Sequence, residues 1–150
     1  MKSAASPWNT DGIIREELFS IERLEQHAAS LAEAQSVTKK PVARRSLNAR
    51  LSDNEAVLLA AYRAMASAVG KGHAITPAAE WLIDNYHLVE KQVRQIQDDL
   101  PPRFYRQLPK LASGPFIGYP RVFGMAWACI AHSDSRFDPQ TLLRFVRAYQ

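Results

Sequence analysis

Carboxylates next to a histidine are the first side chains in this chain with the right types for chemistry. His132, Asp134 and Asp138 fall within seven residues, and an imidazole with two carboxylates is a donor set for a divalent metal. Their spacing matches no standard metal loop. A histidine near a helix C-terminus also meets the negative end of the helix dipole, and Asp138 followed by Pro139 has the form of a helix cap. Capping is therefore the better reading, and no metal ligand is assigned. Asp53, Asn54 and Glu55 resemble acids that hold a metal on a nucleotide diphosphate, but in a first helical turn they are explained by the positive end of the dipole. Asp98 and Asp99 are neighbours on a helix, so their side chains diverge by about 100° and do not share an ion easily.

A second group interleaves bases with tyrosines: Arg103, Tyr105, Arg106, Lys110, Tyr119 and Arg121. Aromatic faces stack on sugar rings and guanidinium forks grip phosphates, so a glucan or nucleotide contact is one reading. The favoured reading is an interface, a connector docked onto the bundle or a neighbouring domain. A third group, Lys39, Lys40, Arg44, Arg45 and Arg50, lies in twelve residues without an acid and holds much of the net charge of +4. Such a cluster attracts anionic lipid headgroups at ~1 kcal/mol per basic residue, or the phosphates of a nucleic acid. With Pro41 inside it and no apolar periodicity, a solvated linker is favoured over both, and a nucleic-acid partner is not expected. His27 and His87 sit beside apolar stripes as packing residues, and His73 falls in a turn. Cys129 is the sole cysteine and lies in an apolar run, which predicts a buried, inert thiol. No nucleophile, phosphate loop or catalytic residue is assigned.

The elements that must position these groups are helical. The chain has 150 residues, 47% of them hydrophobic and only six of them glycine, which suits one helical domain. Ile14, Leu18, Ile21, Leu24, Ala28 and Leu31 recur at steps of three and four, predicting an amphipathic helix from about Asp11 to Gln35 with Asn9, Thr10 or Asp11 as its cap. Ser52 with Glu55 forms a capping box for a second helix reaching Gly70. Thr76 and Pro77 open a third, which Pro101 and Pro102 end. A turn over Arg103 to Leu108 and a loop to Tyr119 follow. The helix from Arg121 to about Ala131 is apolar on nearly every side and predicted to be buried all round, with Gly124 and Ala128 admitting a neighbouring backbone. Asp138 caps a last helix whose apolar pattern runs to Gln150 without a stop signal. The expectation is an all-α, irregular bundle of about five to six helices forming an incomplete domain. It divides into an amphipathic helix over 1–36, a basic linker over 37–50 and a bundle over 51–150. No secretory leader is expected, and the longest apolar run, Val122 to Ala131, is about half of the ~20 residues that cross a bilayer.

Four stretches carry a family resemblance: EELFSIERLEQHAASLAEAQ (16–35), LSDNEAVLLAAYRAMA (51–66), ITPAAEWLIDNYHLVEKQVRQIQDDLPPRFYRQLPKLASGPFIGYPR (75–121) and FGMAWACIAHSDSRFDPQTLLRFVRAYQ (123–150). In this order and spacing the chain resembles the cytoplasmic N-terminal region of the cyclic β-1,2-glucan synthases, glycosyltransferase family 84. The resemblance implies a parent enzyme at the bacterial inner membrane that uses UDP-glucose as donor, with this stretch on the cytoplasmic face. It implies a downstream membrane glucosyltransferase domain as partner, an anionic membrane surface as a second contact, and no cofactor held in the stretch itself. None of the family's catalytic motifs has a counterpart here, so the expected role is packing and positioning. The alternatives are a free-standing interaction module and a basic binder of nucleic acid or membrane surfaces.

Overall fold

The computed structural model describes residues 17–133 and 138–150. These form six helices and one two-stranded sheet, an all-α architecture. Two compact units result. One joins the described residues up to Arg44 to those from Leu108 onward, and the other is Arg45–Gln107. The first helix joins the first unit because it packs on the last two helices.

In the first unit, α1 (Ile21–Ala34) starts later than the apolar stripe predicts. Ser20 is extended, and its hydroxyl accepts the Arg23 N–H at 3.3 Å, satisfying a first-turn donor. Phe19 cannot extend the helix backward, because its own N–H donates to the His132 carbonyl at 3.1 Å. Asn9, Thr10, Asp11 and Ile14 lie outside the described residues. Leu24 and Ala28, four apart on one face, pack with Ala128 and Cys129 of α5 (Arg121–Ala131) and with Phe145 and Tyr149 of α6 (Pro139–Tyr149). The expectation that α5 is buried all round is corrected: Val122 and Ile130 are 54% and 45% exposed. Hydropathy marks them as apolar, but α1 covers only the Gly124–Ala128 side.

The segment after α1 is not merely a solvated linker. Val37–Thr38 forms β1, paired antiparallel with β2 (Lys110–Leu111) in the register Val37 to Leu111 and Thr38 to Lys110. The Ala112 N–H extends the pairing to the Ser36 carbonyl at 2.9 Å. Further along, Arg44 Nε donates to the Ile117 carbonyl at 3.1 Å. Val42 there runs so close to Gly118 that a Cβ at that glycine would lie 2.6 Å from the Val42 oxygen.

In the second unit, α2 (Leu47–Gly70) begins before the predicted capping box and absorbs the last four residues of the expected linker. Ser46 is the cap and accepts the Ala49 N–H at 3.1 Å. Ser52 sits inside the helix, where its hydroxyl donates to the Asn48 carbonyl one turn back. The next helix, α3 (Pro77–Asp99), keeps the predicted start: Thr76 accepts the Ala79 N–H at 3.2 Å and Pro77 occupies the first turn. Tyr62 and Tyr86 stack at 4.4 Å between α2 and α3. Asn48 Nδ2 satisfies the Leu100 carbonyl at the end of α3. After the proline pair begins, α4 (Pro102–Gln107) supplies the short turn expected there.

Two carboxylates brace the first unit. Glu25 on α1 takes both arms of the Arg144 fork on α6, at 2.7 and 2.8 Å. That hydrogen bonding holds the Glu25 carboxyl below its ordinary range. Asp138 caps α6 and is likewise held down, first by the Thr141 hydroxyl and then by the Thr141 and Gln140 N–H groups. Because both groups titrate lower when folded, their stabilisation is complete above the unfolded carboxylate range and is lost as pH falls through the folded values. The urea midpoint is therefore expected to drop between about pH 6 and about pH 3. A Glu25→Gln, Asp138→Asn double variant should drop less, and an equally steep fall would place the acid sensitivity elsewhere.

Candidate functional site

Helical spacing builds one cleft in the first unit. His27, Leu31 and Ala34 lie at steps of four and three on α1, and Gln35 follows as its C-cap residue. Gly124, Trp127 and Ala128 face them from α5, and Ser113, Gly114, Pro115 and Phe116 close the rim. The cleft measures about 320 Å³, and no acidic residue, lysine or arginine lines it. Phe116 and Trp127 form an aromatic corner with ring centroids 5.3 Å apart, and Phe123 meets Phe116 edge-on at 5.5 Å.

A hydrogen-bond chain ends in this cleft. Arg121 Nε donates to the Tyr149 hydroxyl at 2.6 Å, and that hydroxyl donates to Gln35 Oε1, also at 2.6 Å. The Arg121 guanidinium lies 4.8 Å from the Tyr149 ring centroid, adding a cation–π contact. With Oε1 taken by Tyr149, the Gln35 amide nitrogen is turned toward Gly124, where a Cβ would stand 2.8 Å from it. Glycine is needed at 124 for this side chain to lie there. The expected close approach at Gly124 is thus made by the Gln35 side chain and Leu111 rather than by a neighbouring backbone.

At the other end of the cleft His132 is buried, with Nδ1 2.7 Å from the Glu17 carbonyl oxygen. A carbonyl only accepts, so Nδ1 carries the proton in this arrangement. The His132 ring stacks on Phe19 at 3.9 Å and meets His27 edge-on at 4.8 Å. This is a packed aromatic cluster that fixes the start of α1 to the end of α5. Cys129 is buried as expected, and burial pushes its thiol pKa up, away from the reactive thiolate.

The sequence-predicted groups are dispersed. Arg103, Tyr105 and Arg106 lie on α4 in one unit, while Lys110, Tyr119 and Arg121 belong to the other. Within the latter three, Lys110 bridges Pro120, the Leu111 N–H donates to the Tyr119 carbonyl at 2.9 Å, and the Arg121 N–H donates to the Pro109 carbonyl at 2.8 Å. Lys110 is 8% exposed and Tyr119 5%. Lys110 Nζ donates to the Leu108 carbonyl at 2.6 Å, and burial lowers its pKa. These two residues brace the loop instead of presenting a surface. Among the basic residues, Lys39 and Lys40 are exposed and Arg44 binds Ile117, whereas Arg45 pairs with Asp53 at 2.7 Å and Arg50 is half-buried on α2 in the other unit. Asp138 is engaged as a cap, and Asp134 lies outside the described residues. Among the described residues, no three histidine, cysteine or acidic side chains are grouped to hold a metal.

Sequence reasoning did not single out Gln35, Phe116 or Trp127. Trp127 had one available signal, its position three residues after Gly124 in a helix, which puts both on one face. Gln35 had none.

Among the described residues no helix is long and apolar enough to cross a membrane. No family model matches the chain, and no solved structure matches it. The chain is similar to the cyclic β-(1,2)-glucan synthase NdvB of Rhizobium meliloti (strain 1021), with 41% identity over 138 residues. The matched stretch is 91% of this chain, and the chain spans 5% of that relative's length. An identity of this level, sustained across nearly the whole chain, makes it a homologue of one short segment of the cyclic β-1,2-glucan synthases.

Proposed function

We propose that this chain is the N-terminal cytoplasmic helical segment of a cyclic β-1,2-glucan synthase, and that it packs against and positions the membrane glucosyltransferase domain that takes glucose from UDP-glucose. The 41% identity to NdvB carries the reading. Its chemistry lies in other parts of the parent protein. Large apolar side chains left exposed on the second unit support a packing role: Trp81, Leu88 and Ile96 on α3, Val57 on α2 and Phe104 on α4 are between 42% and 67% exposed. Helices that leave such residues uncovered suit a surface that meets further protein.

The decisive experiment removes this segment from the full synthase and follows glucose incorporation from labelled UDP-glucose in membrane vesicles. Cyclic glucan output is expected to collapse although the remaining protein still inserts in the membrane. Undiminished synthesis by the truncated enzyme would refute the positioning role. The 150-residue chain alone should transfer no glucose.

A further inference from the structure

We propose that the cleft between α1 and α5 binds one uncharged sugar ring. No acidic residue, lysine or arginine lines it, and its two histidines, His27 and His132, are packed against Phe19 and each other, so an ionic ligand would lose its hydration without gaining a permanent counter-charge. Two kinds of surface are offered instead. Trp127, half-buried and backed by the buried Phe116 ring 5.3 Å away, supplies an apolar face, suited to the C–H face of a pyranose. Gln35 supplies a directed donor. Tyr149 accepts from Arg121 and has a single hydroxyl proton, which it gives to Gln35 Oε1, so the amide orientation is set and Nε2 is turned toward Gly124 on the cleft wall. Ser113 adds a hydroxyl at the rim.

An apolar protein segment is the competing occupant, and it would leave the oriented Gln35 donor facing carbon. That costs free energy in a desolvated site. A sugar ring satisfies both surfaces, with ring hydroxyls as acceptors and its apolar face on Trp127. At about 320 Å³ the cleft is at the small end of the ~300–1,000 Å³ typical of ligand sites, which suits one ring rather than a long chain. The choice of glucose as that ring rests on the proposed membership of a β-1,2-glucan synthase.

The 150-residue chain is titrated with the β-1,2-linked glucose disaccharide while amide and indole NMR signals are followed. Saturable shifts at Ser113, Gly114, Gly124 and the Trp127 indole are expected, with a dissociation constant on the order of 1 mM. Gln35→Met keeps the side-chain length and removes the donor, and Trp127→Leu removes one aromatic face. Each should weaken binding about tenfold or more, with circular dichroism unchanged in at least one of them. Three results would overturn the site: no saturable shift, equal binding by a folded variant, or benzene shifting these signals where the sugar does not. Loss of glucan output on deleting the segment, alongside absent sugar binding, would remove this site and leave the positioning role standing.

Discussion

Phe145→Ala should lower the stability of the first unit by about 3–5 kcal/mol. Phe145 is 1% exposed and among the largest fully buried side chains. It packs with Leu24 and Ala28 of α1 and with Ala128 and Cys129 of α5. Ala28, Ala128 and Cys129 are too small to reach into the vacated space, so much of the cavity persists. Against a typical domain stability of roughly 5–15 kcal/mol, the loss leaves little reserve. Trp127 lies in the same unit and Trp81 in the other, so urea unfolding followed by each of these tryptophans separately, with the other one and Trp8 changed to phenylalanine, tests where the damage goes. The Trp127 transition is expected to move to much lower urea in the Phe145→Ala background. A shift of under about 1 kcal/mol would mean this core is not the one holding the unit together.

Gly118→Ala should cost about 3 kcal/mol, from two sources that add. Gly118 has φ +83°, where a Cβ crowds the backbone at roughly 1–2 kcal/mol. That Cβ would also sit 2.6 Å from the Val42 carbonyl oxygen and 2.7 Å from Arg44 Cγ. The oxygen belongs to backbone that Arg44 ties to Ile117, so relief requires that backbone segment to retreat, and overpacking of this kind costs ~1–3 kcal/mol. Gly114→Ala separates the two sources. Its φ is +82° but no atom lies within 4 Å of its Cβ position, so only the conformational part, roughly 1–2 kcal/mol, should appear. Equal losses for the two variants in urea unfolding would show that the Val42 approach adds nothing.

Local chemistry was the legible part of this chain. Thr76 with Pro77 and Asp138 with Pro139 cap α3 and α6 as their types dictate, because a cap involves residues only two or three apart. The same rule misplaced α2: Ser46 and Ser52 offer the same hydroxyl, and Ser46 was the one used. The family resemblance extends over 91% of the chain. Burial around α5 was not legible, since Val122 and Ile130 have core side chains yet stay 54% and 45% exposed. Nor was the cleft. Its oriented amide depends on Tyr149 meeting Gln35 across 114 residues, and nothing in either residue's neighbours announces that meeting. The tyrosine-and-arginine group straddles the boundary at Gln107 and Leu108, so its members belong to both units.

Glu25 and Arg144 are 119 residues apart, whereas the α2–α3 hairpin is made of consecutive helices. On a ribosome adding about 5–20 residues per second, the hairpin can close while α1 waits several seconds for α5 and α6 to emerge. During that interval Leu24 and Ala28 wait for Ala128, Cys129, Phe145 and Tyr149, with which they are buried, so the nascent chain carries a sticky helix. Chaperone dependence and co-translational aggregation should therefore track α1, and slowing synthesis beyond residue 107 should worsen both.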